Sequence, residues 1–154
     1  VLGHNGAQIR DAVQKAGAAD RRIRFVENPS FAEGLSTSLQ AGLTVLPDNA
    51  DAVLVCLADM PAVTARQIDR LIAAFNPIEQ RAICVPTFQG KRGNPILWAR
   101  RFVAEMQKLA GDVGARHLIG ENAETVCEVE MGDAAVLTDL DTPEALRAYL
   151  EPRP

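Results

Sequence analysis

The sequence predicts an α/β fold on a mostly parallel sheet, and three observations carry that expectation. Short apolar runs alternate along the chain with longer segments whose apolar residues recur at helical spacing, the pattern of a parallel sheet with right-handed crossovers. Residues 52–58 (AVLVCLA) are apolar at every position, as a central strand buried on both faces is. At 154 residues and 47% hydrophobic content the chain can bury a sizeable core, and with few aromatics that core is aliphatic.

Taken in order, Val1-Leu2 runs directly into Gly3-His4-Asn5-Gly6, which reads as a strand stub entering a strand-to-helix turn. So short a stub holds no place in a sheet without preceding residues, so the chain reads as a piece of something longer. Ile9, Ala12, Val13 and Ala16 then mark a helix that Gly17 ends. Residues 22–27 alternate as a half-buried strand does, closed by Asn28-Pro29. A second helix starts near Ser36, carries Leu39, Leu43 and Leu46, and stops at Pro47. After strand 52–58, Thr64 and Gln67 fit a capping box that opens a helix with Ile68, Leu71, Ile72 and Phe75 on one stripe. Residues 82–86 make the next strand.

Beyond residue 88 a Gly-rich basic loop (QGKRGNP) leads into Ile96-Leu97-Trp98, and a helix buries Phe102, Val103, Met106 and Leu109. A short helix follows GDVGAR, and residues 125–131 alternate as a strand. Val136-Leu137 suggests a further short strand. The last helix has Thr142 as N-cap, Pro143 at the first helical position, and Leu146, Tyr149 and Leu150 on one face. Neither a repeat nor a linker precedes Pro152-Arg153-Pro154.

Composition narrows the function. A net charge of −4 without a basic block argues against nucleic acid as the main partner. There is neither a signal peptide nor an apolar stretch near the ~18 residues of a membrane helix, so the expected location is cytoplasmic and away from membranes. Cys56, Cys84 and Cys127 lie in or beside apolar runs without CxxC spacing, and are expected to be reduced, largely buried strand residues. His4 and His117 are isolated, and no Walker loop or GxGxxG occurs.

Three constellations carry candidate chemistry. Asp59 follows the apolar run 52–58 in LADMP, where open α/β sheets collect ligands, and suits a hard cation such as Mg²⁺; the alternative is an Asp that only caps the turn. Asp139 and Asp141, in LTDLDTPEAL, fall on one side of an extended segment and could face one cleft; the alternative is favourable charge at a helix N-terminus. Two strand-end acids from distant segments match a Mg²⁺–triphosphate site. Gly34, Ser36 and Ser38 lie where a helix begins, suited to a nucleotide or to ordinary N-capping. Lys91, Arg92 and Arg116 sit in Gly-containing stretches, available to an anion or simply solvated.

Together NPSFAEGLSTSLQAGL, VLVCLADMP, GKRGNPILW, GDVGARHLI and LTDLDTPEAL resemble, in order and over nearly the whole chain, the molybdenum cofactor cytidylyltransferase branch of the MobA-like nucleotidyltransferases. The resemblance implies a three-layer Rossmann-like nucleotidyltransferase fold spanning residues 1–154, and Mg²⁺-dependent transfer of CMP from CTP to molybdopterin with release of pyrophosphate. It implies Asp59 and Asp141 as metal ligands and catalytic residues. Gly34, Ser36 and Ser38 would line the nucleotide pocket, with Gly93, Asn94, Pro95 and Arg116 on the pterin side. Asn94 departs from the branch, where a histidine is common. The family's first strand and its LAAGxSxRMGxxK loop are absent, so these residues alone are expected not to turn over. Variants with the GKRGNP loop also resemble the C-terminal half of fused proteins whose other domain binds molybdopterin, which implies a fused or associated molybdopterin-binding domain. Open alternatives are a GTP-using guanylyltransferase of the family, a sugar-phosphate nucleotidyltransferase, or a glycosyltransferase, for which Asp139-Leu140-Asp141 formally supplies a DxD.

Overall fold

The structure, a computed structural model, describes residues 1–16, 22–111 and 115–151. The expected helix end at Gly17, the centre of GDVGAR and the terminal Pro-Arg-Pro lie outside the described residues. In chain order the elements are helices α1 (Gly6–Lys15) and α2 (Leu35–Leu43), strand β1 (Ala52–Val55), helix α3 (Ala65–Ala74) and strands β2 (Ile83–Phe88), β3 (Lys91–Arg92) and β4 (Ile96–Ala99). Helices α4 (Val103–Met106) and α5 (Arg116–Glu121), strand β5 (Val126–Glu130) and helix α6 (Pro143–Leu150) follow. None of the described helices is long and apolar enough to cross a membrane. The chain divides into two compact units, Val1–Asp51 with Arg100–Glu121 and Ala52–Ala99 with Asn122–Pro154.

The first unit holds helices α1, α2, α4 and α5. Leu2, the predicted strand stub, forms a single parallel bridge to Glu27, with its amide on the Val26 carbonyl and its carbonyl on the Asn28 amide, both at 2.7 Å. The strand expected over 22–27 reduces to that bridge, because alternation marks a strand but supplies no partner. Helix α1 forms as expected, yet Ile9, Ala12 and Ala16 on its stripe stay exposed. Helix α2 begins at Gly34, whose φ of 117° favours glycine. Gln40 anchors it to the end of α4 by donating to the Gln107 and Leu109 carbonyls at 3.0 and 2.7 Å. Phe102, Met106 and Leu109 are buried as predicted, with Leu118 and Ile119 of α5.

The second unit holds the sheet. Strand β4 lies between β1 and β2 and is antiparallel to both, and β3 pairs antiparallel with the end of β2. Only β5 runs parallel to β2, with Ile83 opposite Val126 and Thr87 opposite Glu130. The sheet is therefore mixed rather than mostly parallel. The segment after Gly90 folds back on β2 as a hairpin, and that antiparallel return is not visible in the order of elements.

The strands buried on both faces are β4, buried at every residue, and β2, five of whose six residues are buried, and not the run 52–58. There the strand ends at Val55, and β1 is half-buried throughout and paired on β4 alone among the described residues. A continuous apolar run does not say which strand is central. One face of the sheet packs Cys84 and Leu97 against Leu71 of α3 and against Met131 and Val136. Val136 belongs to a 3₁₀ turn, Ala134–Leu137, where a strand was expected.

The capping box of α3 is complete, with the Thr64 hydroxyl and the Gln67 side chain each accepting from the other's backbone amide. Thr142 caps α6 with Pro143 at its first turn, but Leu146 and Leu150 on the expected inner face stay 46% and 69% exposed. The three cysteines are free. Cys84 is buried, and burial, with Cys127 beside it, pushes its thiol from 9.0 up to about 11. Cys127 is half-buried, whereas Cys56 is exposed because β1 has already ended.

Candidate active site

Beyond the end of β1 the chain turns at Ala58-Asp59, and the Val63 amide closes on the Met60 carbonyl at 3.3 Å. Met60, the next residue, is buried. Asp59 is half-buried. Its Oδ1 is shielded from solvent and has no hydrogen-bond partner among the described residues. A shielded, unpaired carboxylate oxygen is costly to leave unsatisfied, and a cation or a donor from a ligand would satisfy it.

The second acidic element meets the first through the backbone. The Leu140 amide donates to the Asp59 carbonyl at 2.9 Å, which sets Asp139-Leu140-Asp141 alongside the turn. Both acids are exposed. Among the described residues no group of three or more His, Cys, Asp or Glu could hold a metal. Asp59 and the segment bearing Asp139 and Asp141 offer carboxylates from two parts of the chain, the donor type Mg²⁺ takes beside phosphate oxygens and water.

The same unit places the GKRGNP loop. Gly93 donates to the Pro86 carbonyl and Asn94 to the Val136 carbonyl, at 2.8 and 2.9 Å. A Cβ on Gly93 would lie 2.0 Å from the Val136 oxygen, so this glycine has a packing reason of its own. The Asn94–Pro95 peptide is cis, and Pro95 closes a cavity of about 140 Å³ with Cys56, Leu57, Met60, Val63 and Ile68. Lys91 and Arg92 are exposed on β3, and Arg92 is bound to Glu128 at 2.7 Å.

The remaining predicted residues belong to the first unit. Gly34 is the N-cap of α2, with no side-chain cap. Ser36 and Ser38 do not cap it either. The Ser38 hydroxyl accepts from the Asn28 side-chain amide at 2.9 Å, and so does Thr37. Ser36 is 1% exposed, its amide donates to the Gly111 carbonyl at 3.1 Å, and its hydroxyl is buried without a partner among the described residues. Arg116 is exposed at the start of α5.

The structure therefore gathers Asp59, Asp141, Gly93, Asn94 and Pro95 in one unit and Gly34, Ser36, Ser38 and Arg116 in the other. Sequence reasoning missed Asn28 and Thr37, which organise the start of α2, and Asp133, which accepts from Gln67 at 2.8 Å. Asn28-Pro29 marked only a strand end, and nothing local signals the reach to Asp133.

A sequence profile of the MobA-like NTP transferase domain matches residues 4–126. The crystal structure of Rv0371c from Mycobacterium tuberculosis H37Rv is 24% identical, with a TM-score of 0.75 over 99% of this chain and 74% of that one. A structure of the same mycobacterial protein in complex with manganese is 24% identical, with a TM-score of 0.72 over 97% of this chain and 75% of that one. A nucleotidyl transferase from Methanothermobacter thermautotroptrophicus is 16% identical, with a TM-score of 0.75 over 95% of this chain and 68% of that one. Together these give an α/β Rossmann-like nucleotidyltransferase fold with a mixed sheet. A search of curated proteins found no match.

Proposed function

The chain belongs to the MobA-like NTP transferase domain family, and from that premise we propose that its protein transfers CMP from CTP to molybdopterin, releasing pyrophosphate. The coarser statement, a domain of nucleotidyltransferase type, follows from the family. The finer one rests on the motif resemblance, and its metal requirement on one observation: the shielded, unpartnered Oδ1 of Asp59 beside the segment that bears Asp141.

In this reading Asp59 and Asp141 hold Mg²⁺, which supplies charge neutralisation on the nucleotide phosphates. Manganese in the mycobacterial protein of like fold supports a divalent ion here. A phosphate oxygen of molybdopterin attacks the α-phosphorus of CTP in line; the new P–O bond forms as the bond to the pyrophosphate oxygen breaks. Positioning and electrostatics carry such a reaction, and no protein nucleophile is required. Gly34, Ser36 and Ser38 serve the nucleotide, and Ser38 keeps its own O–H to donate. Gly93, Asn94, Pro95 and Arg116 serve the acceptor. A cytoplasmic location and a fused or associated molybdopterin-binding domain belong to the same proposal.

Thermal protection of the full-length protein by each nucleoside triphosphate, with Mg²⁺ present, tests the substrate. CTP-selective protection, accompanied by CMP transfer to molybdopterin, is the expected result. GTP-selective protection would replace this reading with a guanylyltransferase of the same family.

A further inference from the structure

Gln67 is 3% exposed and does more than close the capping box of α3. Its Oε1 accepts from the Thr64 amide and hydroxyl at 2.8 and 3.0 Å, and its Nε2 donates to Asp133 Oδ1 at 2.8 Å. A capping box is served equally by Glu or Gln. Only Gln can also donate, and a Glu here would set two carboxylates against each other.

Asp133 is itself a cap. Its Oδ1 accepts from the Ala135 amide at 2.9 Å and starts the 3₁₀ turn Ala134–Leu137. That turn presents the buried Val136 carbonyl to Asn94, and the chain leaving it brings the Leu140 amide to the Asp59 carbonyl. Two segments, Asp59 to Gln67 and Asp133 to Leu140, are thus joined at both ends, by Asp59–Leu140 and by Gln67–Asp133. Asp59 stands at one of these joints and Asp141 is the next residue beyond it.

We propose that Gln67 and Asp133 form a clamp that positions the metal carboxylates, fixing the 139–141 segment against the Asp59 turn. The inference rests on the metal reading above. Neither residue touches the ion; both act through the backbone that carries its ligands. Groups that orient metal ligands from behind change affinity by about 10–100-fold when removed.

The test is Mn²⁺ binding to the full-length protein, followed by the electron paramagnetic resonance of the free ion, with thermal unfolding recorded for each variant. Gln67→Met and Asp133→Ala are expected to weaken Mn²⁺ about tenfold while still unfolding cooperatively. Asp133→Asn, which keeps an acceptor oxygen for Gln67 and Ala135, restores wild-type affinity. Wild-type Mn²⁺ affinity in Gln67→Met and Asp133→Ala, even with a lowered melting temperature, overturns the proposal and leaves the clamp purely structural. If Gln67→Met does not fold, Asp133→Ala decides, because Asp133 is exposed. Binding that Asp59→Asn leaves untouched, or no saturable binding by the wild type, sinks the metal reading itself and the clamp with it.

Discussion

The start of α2 and the turn after β1 both present polar side chains where a ligand could meet the chain, but they use them in opposite ways. At α2 the polar groups mostly satisfy one another. Asn28 donates to Thr37 and Ser38, its Oδ1 accepts from the Ser30 amide, and Thr37 donates back to the Ser30 and Gly34 carbonyls. The Ser36 hydroxyl is the exception. At the turn after β1 the backbone is held by Leu140, while the Asp59 carboxylate keeps a shielded oxygen with no partner among the described residues. An unsatisfied hydroxyl is neutral and tolerable; an unsatisfied carboxylate oxygen carries charge and costs more. The difference is in how the polar groups are used: the first region spends most of them on a helix start, as a scaffold does, and the second leaves a carboxylate oxygen without a partner among the described residues.

The largest expected effect breaks that contrast at its charged end. Asp59→Asn should lower nucleotidyl transfer in the full-length protein by about a thousandfold, the loss of several kcal/mol of metal-borne stabilisation. The melting temperature should hold or rise, because the uncompensated charge goes with the mutation. A large loss of stability with transfer intact would make Asp59 a structural cap. Next in size is Gly93→Ala, whose new Cβ would meet the Val136 oxygen. Overpacking of that kind costs about 3 kcal/mol, to be read from urea denaturation. Unchanged stability would mean that the 3₁₀ turn gives way easily, and would weaken the clamp argument at Val136.

What was legible in the sequence was local. The Thr64–Gln67 capping box and the Thr142–Pro143 helix start are set by spacings of three residues or fewer, and both are present. Asp59 stood out because the end of an apolar strand is a place where ligands collect. The failures are non-local. The antiparallel return of β4 between β1 and β2 depends on partners far along the chain, and Gln67 reaches Asp133 across 66 residues. The half-buried state of β1 and the single bridge left of strand 22–27 follow from which neighbour each segment finds. The exception is local: Val136-Leu137 turns as 3₁₀ with Asp133 capping it through the Ala135 amide, a contact that no apolar pattern encodes.

At the scaffold end of the comparison the expected effects are smaller and of a different kind. Asn28→Ala removes the shared donor of Thr37 and Ser38 and the acceptor of the Ser30 amide. With groups left unpaired at a site 4% exposed, the cost is about 1–3 kcal/mol, measured by urea denaturation. Mn²⁺ affinity should not move. A shift in Mn²⁺ affinity without a loss of stability would show that the helix start is part of the metal site.

The smallest effect is also the sharpest test of the α2 exception. Ser36→Ala deletes a buried hydroxyl that no group among the described residues satisfies and replaces it with a better helix former. Stability should rise by up to about 1 kcal/mol. If the hydroxyl is held for a nucleotide, the same change should weaken triphosphate binding by about tenfold at most, the worth of one hydrogen bond. Gain of stability with loss of nucleotide affinity would bring Ser36 over to the side of Asp59, a group kept unsatisfied for a ligand. Gain of stability with nucleotide affinity unchanged would leave it an imperfectly filled position in the scaffold. A loss of stability would mean that the hydroxyl has a partner in the folded chain after all, and the contrast between the two regions would then rest on Asp59 alone.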